Sequence, residues 1–264
     1  MKIELLSNTP DALNLLLRTK DTRLKADDDP ATWPEEKKQE HLAYMRDTIK
    51  SSWEFVDYTF RINGVTRAFT HQLVRTRTGS YAQEAQRVID AREHKVVMPM
   101  SLTQREQNAE LTKLLAPLSA QGIWDHAVGE MMDGYAQLMD MGVAAQDARG
   151  LLPTNITTSI IAKFNLRTLH EMAKLRLCTR TQGEYQNVFR AMRGLVIGVH
   201  PWAAEFIEVY CAAHGSCAFP RYGEKECPVW FPALYNDHVR AEAKSRFWSM
   251  RHEAAPVAKN GKAM

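Results

Sequence analysis

Eight consecutive residues, Val56-Asp57-Tyr58-Thr59-Phe60-Arg61-Ile62-Asn63, alternate apolar and polar without a break. Successive side chains of an extended chain point to opposite faces, so this run is a strand with one face buried and one face wet. Gly64 is expected to end it. The remainder reads mainly at helical period. Helices are expected over Pro10 to about Arg18, Glu35–Lys50, Val65–Arg75, Ser101–Leu115, Gly122 to about Asp147, Leu166–Leu177, Gln182–Gly198 and Pro201 to about Ala213. Residues 19–35 read as a loop, with the Asp27-Asp28-Asp29-Pro30 run and Pro34 as breakers. Met1–Leu6, Lys95–Met98 and Thr154–Phe164 read as extended, and residues 252–264 as a frayed tail. The fold class is α+β: a single domain over residues 1–264, mostly helical around a small antiparallel sheet.

Downstream of the strand lies Arg75-Thr76-Arg77-Thr78-Gly79-Ser80-Tyr81-Ala82-Gln83-Glu84-Ala85-Gln86-Arg87. Guanidiniums this close repel unless an anion sits among them, and arginine is the residue best suited to bidentate phosphate binding. Taken alone, the run reads equally well as a solvated basic loop. The formal net charge of +3 over 264 residues argues against a general nucleic-acid binder and suits a small anionic ligand. No apolar run approaches the length of a membrane span, and the first residues lack a signal-peptide core, so a cytoplasmic protein is expected. Cysteines stand at 178, 211, 217 and 227. Cys211, Cys217 and Cys227 contain no Cys-x-x-Cys pair, so ordinary free thiols are expected and no metal is assigned.

A second arginine set spans residues 149–176. In the 166–177 helix Leu169, Met172 and Ala173 form the apolar stripe, and Arg176 falls on the same side. An arginine there needs an anion or strong acceptor, unless its stem packs while its head reaches water. Asn165 is placed to cap this helix, and Arg167 with Glu171 forms a possible i, i+4 ion pair. Arg149 has only the badly placed Asp147 nearby. Ser80 has no base near it in sequence and is not read as a nucleophile.

Together the two sets resemble the flavin-dependent thymidylate synthases of the ThyX type. That family carries Arg-His-Arg-x-x-Ser-x-Asn-Glu-x-Ser-x-Arg, which here becomes the run from Arg75 to Arg87, with the arginines and first serine at full spacing. Ser51-Ser52-Trp53-Glu54-Phe55 resembles the family's Thr-Pro-Phe-Glu segment, and Gln72 stands at its glutamine before the signature. Arg149-x-x-Leu152-Pro153-x-Asn155 and Asn165-Leu166-Arg167 through Arg176 are similar to its second region, so residues 36–195 are covered.

The resemblance implies reductive methylation of dUMP to dTMP, with methylenetetrahydrofolate as carbon donor and FAD reduced by NADPH as hydride source. It also implies a homotetramer with shared sites, and no nucleic-acid or membrane partner. By position, Gln72, Arg75, Gln83, Glu84, Ala85, Gln86, Arg87, Arg149 and Arg176 would hold dUMP. Ser51, Arg75, Thr76, Arg77, Asn165, Arg167 and Glu171 would line FAD, and Arg176 would act catalytically on the uracil ring. The departures are Thr76 for histidine, Ala82-Gln83 for Asn-Glu, Ala85 for the second serine, Glu171 for a neutral residue and Arg180 for histidine. They mark a divergent member. The alternatives are a related one-carbon transfer to another pyrimidine nucleotide, or a non-catalytic nucleotide-binding module.

Overall fold

The computed structural model describes residues 1–24, 29–48, 50–103, 119–219, 221–222 and 227. In chain order its elements are β1 (Lys2–Asn8), α1 (Ala12–Leu24), α2 (Glu35–Asp47), β2 (Asp57–Thr66), α3 (Arg67–Leu73), β3 (Ser80–Gln83), α4 (Met100–Thr103), α5 (Ala120–Asp140), α6 (Ala145–Ala148), β4 (Thr157–Asn165), α7 (Leu166–Arg176), α8 (Gly183–Val199) and α9 (Tyr210–His214). The class is α+β, as expected. Two compact units divide the chain: Met1–Asn8 with Asp57–Phe164, and Thr9–Val56 with Asn165–Met264.

The first unit holds a four-stranded sheet in the order β1-β2-β4-β3. β1 runs antiparallel to β2, and β3 antiparallel to β4. The alternation of β2 does what its pattern demands: Tyr58, Phe60 and Ile62 are fully buried, and on β4 Ile160, Ala162 and Phe164 join them. Gly64 does not end the strand. It sits inside β2 at φ +67, where the Met1 nitrogen comes within 3.4 Å of where a β carbon would be. A glycine tolerates that conformation, so the strand carries on to Thr66.

Thr66 then caps α3 through its hydroxyl, which accepts from the Phe69 N–H at 3.0 Å. The turn leading to β3 is held by Tyr81, whose hydroxyl lies 3.0 Å from the Leu73 carbonyl and 2.7 Å from that of Thr76. At Gly79 a β carbon would stand 2.5 Å from the Phe164 ring and 2.6 Å from the Tyr81 hydroxyl, so only glycine fits. The expected long helix over residues 122–147 is instead two, α5 and α6, broken at Gly142 with φ +82. Tyr135 of α5 is buried with Ala91, Ala148 and Ile156, and Met132 and Leu138 pack against them. The expected strand at Lys95–Met98 is reduced to a bridge between Val96 and Ile156. The helix expected over Ser101–Leu115 begins in α4, and residues 104–118 lie outside the described ones.

In the second unit α1 runs on to Leu24, past the loop expected from residue 19. Leu42 and Met45 of α2 are buried, as their spacing predicts, while Ile49 lies outside the described residues. Asn165 caps α7 with its side-chain oxygen 2.8 Å from the Thr168 N–H. Leu169, Met172 and Ala173 are buried as the stripe requires, and Leu166, Thr168 and His170 join them. Tyr185, Val188, Phe189, Met192 and Val196 bury the inner face of α8. The helix expected from Pro201 to Ala213 breaks into a 3-10 turn, Pro201–Glu205, and the short α9. Arg193 fixes that break: its guanidinium donates to the carbonyls of Ile207 at 2.6 Å and Ala204 at 3.2 Å. The tail read at 252–264 lies outside the described residues. Among the described residues no helix is long and apolar enough to cross a membrane.

Candidate functional site

Arginine at the first position of a helix is electrostatically misplaced, because the helix N-terminus is already positive. Arg67 occupies that position in α3. Backbone bonds from Arg67 to Ile156 at 3.0 Å and from Ala68 to Thr154 at 2.9 Å set α3 against the segment that leads into β4. Next to it, Arg149 opens a 3-10 turn that Leu152 and Pro153 terminate. The result is a cavity of about 530 Å³ whose lining includes Arg67, His71, Gln86, Asp147, Arg149 and Thr154.

The electrostatics of this cavity are unbalanced. Burial first, and the Arg149 charge second, hold the Arg67 guanidinium below its ordinary value, with Glu84 opposing. Arg67 has one long contact to the Glu84 carbonyl at 3.4 Å, and Arg149 donates from Nε to the Gln146 carbonyl at 3.0 Å. The Gln86 side-chain nitrogen is buried and finds no acceptor among the described residues. Two guanidiniums and an unused amide donor around one cavity call for an oxyanion.

Of the residues expected to hold the nucleotide, Gln86 and Arg149 line this cavity. Gln83 lies behind it, donating to the Thr70 hydroxyl at 2.8 Å. The Glu84 carboxylate lies 3.2 Å from His94, and its N–H bonds the Ser159 carbonyl. Gln72 is half-buried, while Arg75, Ala85 and Arg87 are exposed and do not line the cavity. Arg77 is also exposed and Thr76 half-buried. Arg67 was not among the expected residues, nor was His71 given a role. The adverse placement of an arginine directly after a Thr cap was the available signal.

Arg176 belongs to the second unit. It is half-buried, and its guanidinium lies over the Tyr185 ring, 4.4 Å from the centroid. The packed-stem alternative and the ligand reading therefore share one geometry: the ring supports the plane of the fork. Asn165 caps α7, Arg167 and Glu171 lie within it, and Ser51 lies in the 3-10 turn Lys50–Phe55 that packs on it. The expected Arg167–Glu171 pair does not form. Arg167 instead reaches Glu54 at 2.6 Å, and Glu171 takes Lys174 at 2.9 Å. Arginine preceding glutamate is the weaker order on a helix, and each side chain finds a better-placed partner.

Behind this surface His170 is buried. Its Nδ1 donates to the Phe206 carbonyl at 2.7 Å, and Lys50 donates to its Nε2 at 2.7 Å. Burial drives its pKa down to about 4, the Phe206 bond opposes, and Lys50 adds to the fall. Burial pushes the Glu171 carboxyl up, but the bond and charge of Lys174, with His170 and Lys50 behind, leave it below its ordinary value. Burial and Lys174 lower Lys50. The face is thus cationic in excess, with Lys50, Arg167 and Lys174 against Glu54 and Glu171.

The chain belongs to the family described as thymidylate synthase complementing protein (Thy1), which it matches over residues 4–202. It is 31% identical over 182 residues to the flavin-dependent thymidylate synthase of Sulfurisphaera tokodaii, covering 67% of this chain and 65% of that protein. It is 36% identical over 154 residues to that of Geobacter sulfurreducens, covering 58% of this chain and 61% of the relative. To that of Nitratidesulfovibrio vulgaris it is 28% identical over 233 residues, covering 82% and 90%. The chain therefore spans less than two thirds of the length of the first two relatives.

Proposed function

We propose that the chain catalyses reductive methylation of dUMP to dTMP, taking the carbon from methylenetetrahydrofolate and the hydride from FAD reduced by NADPH. The observation that carries this reading is the cavity lined by both Arg67 and Arg149, whose charges repel, together with the buried Gln86 amide. A nucleotide phosphate would relieve the guanidinium repulsion and give that amide its acceptor. Gln72, Arg75, Gln83, Glu84, Ala85 and Arg87 complete the proposed dUMP set. The named function of the relatives supports the same substrate and a flavin.

Arg176 is assigned to the uracil ring. Its fixed charge, held planar over Tyr185, favours loss of the N3 proton and stabilises negative charge developing on the ring. The α7 face fits FAD: Arg167, Lys50 and Lys174 suit a diphosphate, and Ser51, Asn165 and Glu171 add hydrogen-bonding groups. Arg75, Thr76 and Arg77 complete that set. When bound, the flavin supplies the hydride, and the protein orients it. A cytoplasmic homotetramer with sites shared between subunits is part of the proposal.

The test is the absorption spectrum of the purified chain supplied with FAD, with and without dUMP, followed by mass spectrometry of the nucleotide after NADPH and methylenetetrahydrofolate are added. A bound yellow flavin perturbed by dUMP, and a 5-methyl product, are expected. A chain that retains no flavin, or a product carrying a different one-carbon group, overturns the reading.

A further inference from the structure

Glu84 places an acid beside a guanidinium that the cavity uses. Its backbone is tied at both ends. The N–H donates to the Ser159 carbonyl at 3.0 Å, and the Glu84 carbonyl takes the Arg67 guanidinium at 3.4 Å. The carboxylate is the part still able to turn. Turned toward Arg67, it would quench one of the cavity's two charges, as Glu54 does for Arg167 on α7. It is turned elsewhere. Its Oε1 lies 3.2 Å from Nε2 of His94, with the two side chains only 19% and 21% exposed. That oxygen is buried and takes no hydrogen bond among the described residues, so charge is what holds it there.

His94 stands on a segment with fastenings of its own. The Ala91 N–H donates to the Tyr135 hydroxyl at 3.1 Å, Arg92 pairs with Asp140 at 2.9 Å, and the His94 N–H bonds the Ala91 carbonyl at 3.0 Å. Those bonds anchor the segment to α5. The ring is then oriented by Nδ1, which lies 3.1 Å from the Thr157 carbonyl. A carbonyl only accepts, so Nδ1 carries a proton. Nε2 attracts a carboxylate only if it is protonated too, since otherwise two lone pairs meet. The contact is therefore that of an imidazolium with a carboxylate. Glu84 has two cations within reach, and the fold gives its carboxylate to the histidine. Its charge is still felt at Arg67, where burial and Arg149 lower the guanidinium and Glu84 opposes them.

We propose that His94 is a positioning residue of the cavity: it holds the Glu84 carboxylate away from Arg67 and so keeps that guanidinium free for the nucleotide phosphate, a role that rests on the cavity being the dUMP phosphate site. His94 does not line the cavity. It acts through Glu84, by restraining an internal anion that would otherwise compete with the substrate's. An ion pair between Glu84 and Arg67 would have to open before a phosphate entered, and its strength would be subtracted from binding.

Dissociation constants for dUMP are to be measured by calorimetry on the full chain, on His94→Asn, on Glu84→Gln and on the double variant. Asparagine puts an amide where Nδ1 stands, so it keeps a donor for Thr157 and loses Nε2. His94→Asn should bind dUMP roughly tenfold more weakly, because Glu84 then turns to Arg67. Glu84→Gln should bind it roughly threefold more tightly, since Arg67 is left uncontested. With Glu84→Gln already in place, His94→Asn should change the affinity by less than about twofold, the restrained anion being gone. In turnover the His94→Asn loss should fall on KM for dUMP and not on kcat, because the phosphate is gripped alike in ground and transition states. An equal loss from His94→Asn in both backgrounds makes the histidine a packing residue and overturns the proposal. Should His94→Asn fail to fold, Glu84→Gln decides alone: tighter binding sustains the proposal, and unchanged or weaker binding overturns it. A parent chain that binds no dUMP overturns the dUMP reading and the role of His94 with it, whereas additive losses in a parent that does bind overturn the role of His94 only.

Discussion

The cavity of the first unit and the α7 face of the second are both rich in cations, but they hold their charge differently. On α7 Arg167 meets Glu54 and Lys174 meets Glu171, at 2.6 and 2.9 Å. In the cavity Arg67 and Arg149 face each other, and neither takes part in an ion pair among the described residues. A compensated cation binds an anion by exchanging partners, so the gain is small. A pair that acidic groups, here Glu84 and Asp147, offset without a direct ion pair gains more of the attraction and loses a repulsion as well. The cavity should therefore bind its ligand more tightly and with the steeper salt dependence, while the α7 face should be the more stable when empty.

The strongest challenge to that contrast comes from Arg176, which belongs to neither class, being held by a ring instead of a carboxylate. Arg176→Lys should leave the circular dichroism unchanged and reduce turnover roughly 100-fold, because a point charge cannot reproduce the supported plane. Near-normal turnover would show that this arginine merely packs.

Next in size is the pH response of the α7 face. The folded-state pKa of His170 lies near 4, below the ordinary value of 6.5, so the unfolded chain binds the extra proton first as pH falls. The stability from burying neutral His170 is present above about pH 6.5 and is lost as pH falls toward about 4, by roughly 2–3 kcal/mol. His170→Gln should flatten urea-unfolding stability across that window. If the parent chain is equally stable at both ends of it, the imidazole is not buried neutral.

In the cavity, Arg149→Ala should weaken dUMP binding about 30-fold by calorimetry and reduce the slope of log affinity against log salt. Arg67→Gln sharpens the comparison further: it should weaken dUMP binding while leaving the ligand-free chain as stable as before or more so, since it removes a like-charge contact. The smallest effect is expected at the compensated pair. Arg167→Ala should weaken FAD about fivefold, because removing one partner also releases Glu54 to water. A loss at Arg167 larger than that at Arg149 would invert the comparison.

Much of this was legible from local pattern. The alternation of β2, the apolar stripe of α7 and its Asn165 cap depend on neighbours a few residues away, and each stands where the spacing put it. What escaped the sequence depends on distant partners. Gly64 reads as a strand end, yet β2 passes through it to Thr66, beyond the last residue that β1 pairs with, Asn63. Arg167 reads as a partner for Glu171 until the fold delivers Glu54 from 113 residues earlier. In the candidate site, Gln86 and Arg149 were found through motif spacing, whereas Arg67 has no motif and shows its importance only through the charge it faces.

The phenol of Tyr81 reaches the carbonyls of Leu73, at the end of α3, and of Thr76 in the turn that precedes β3, and Gly79 sits against it with no room for another atom. The shape of the basic turn is thus latched by an uncharged side chain that need touch no ligand. The side chains of Thr76, Ala82 and Ala85 take no part in that latch. A laboratory search for altered nucleotide preference can vary those three positions freely, provided the tyrosine and the glycine behind it are kept.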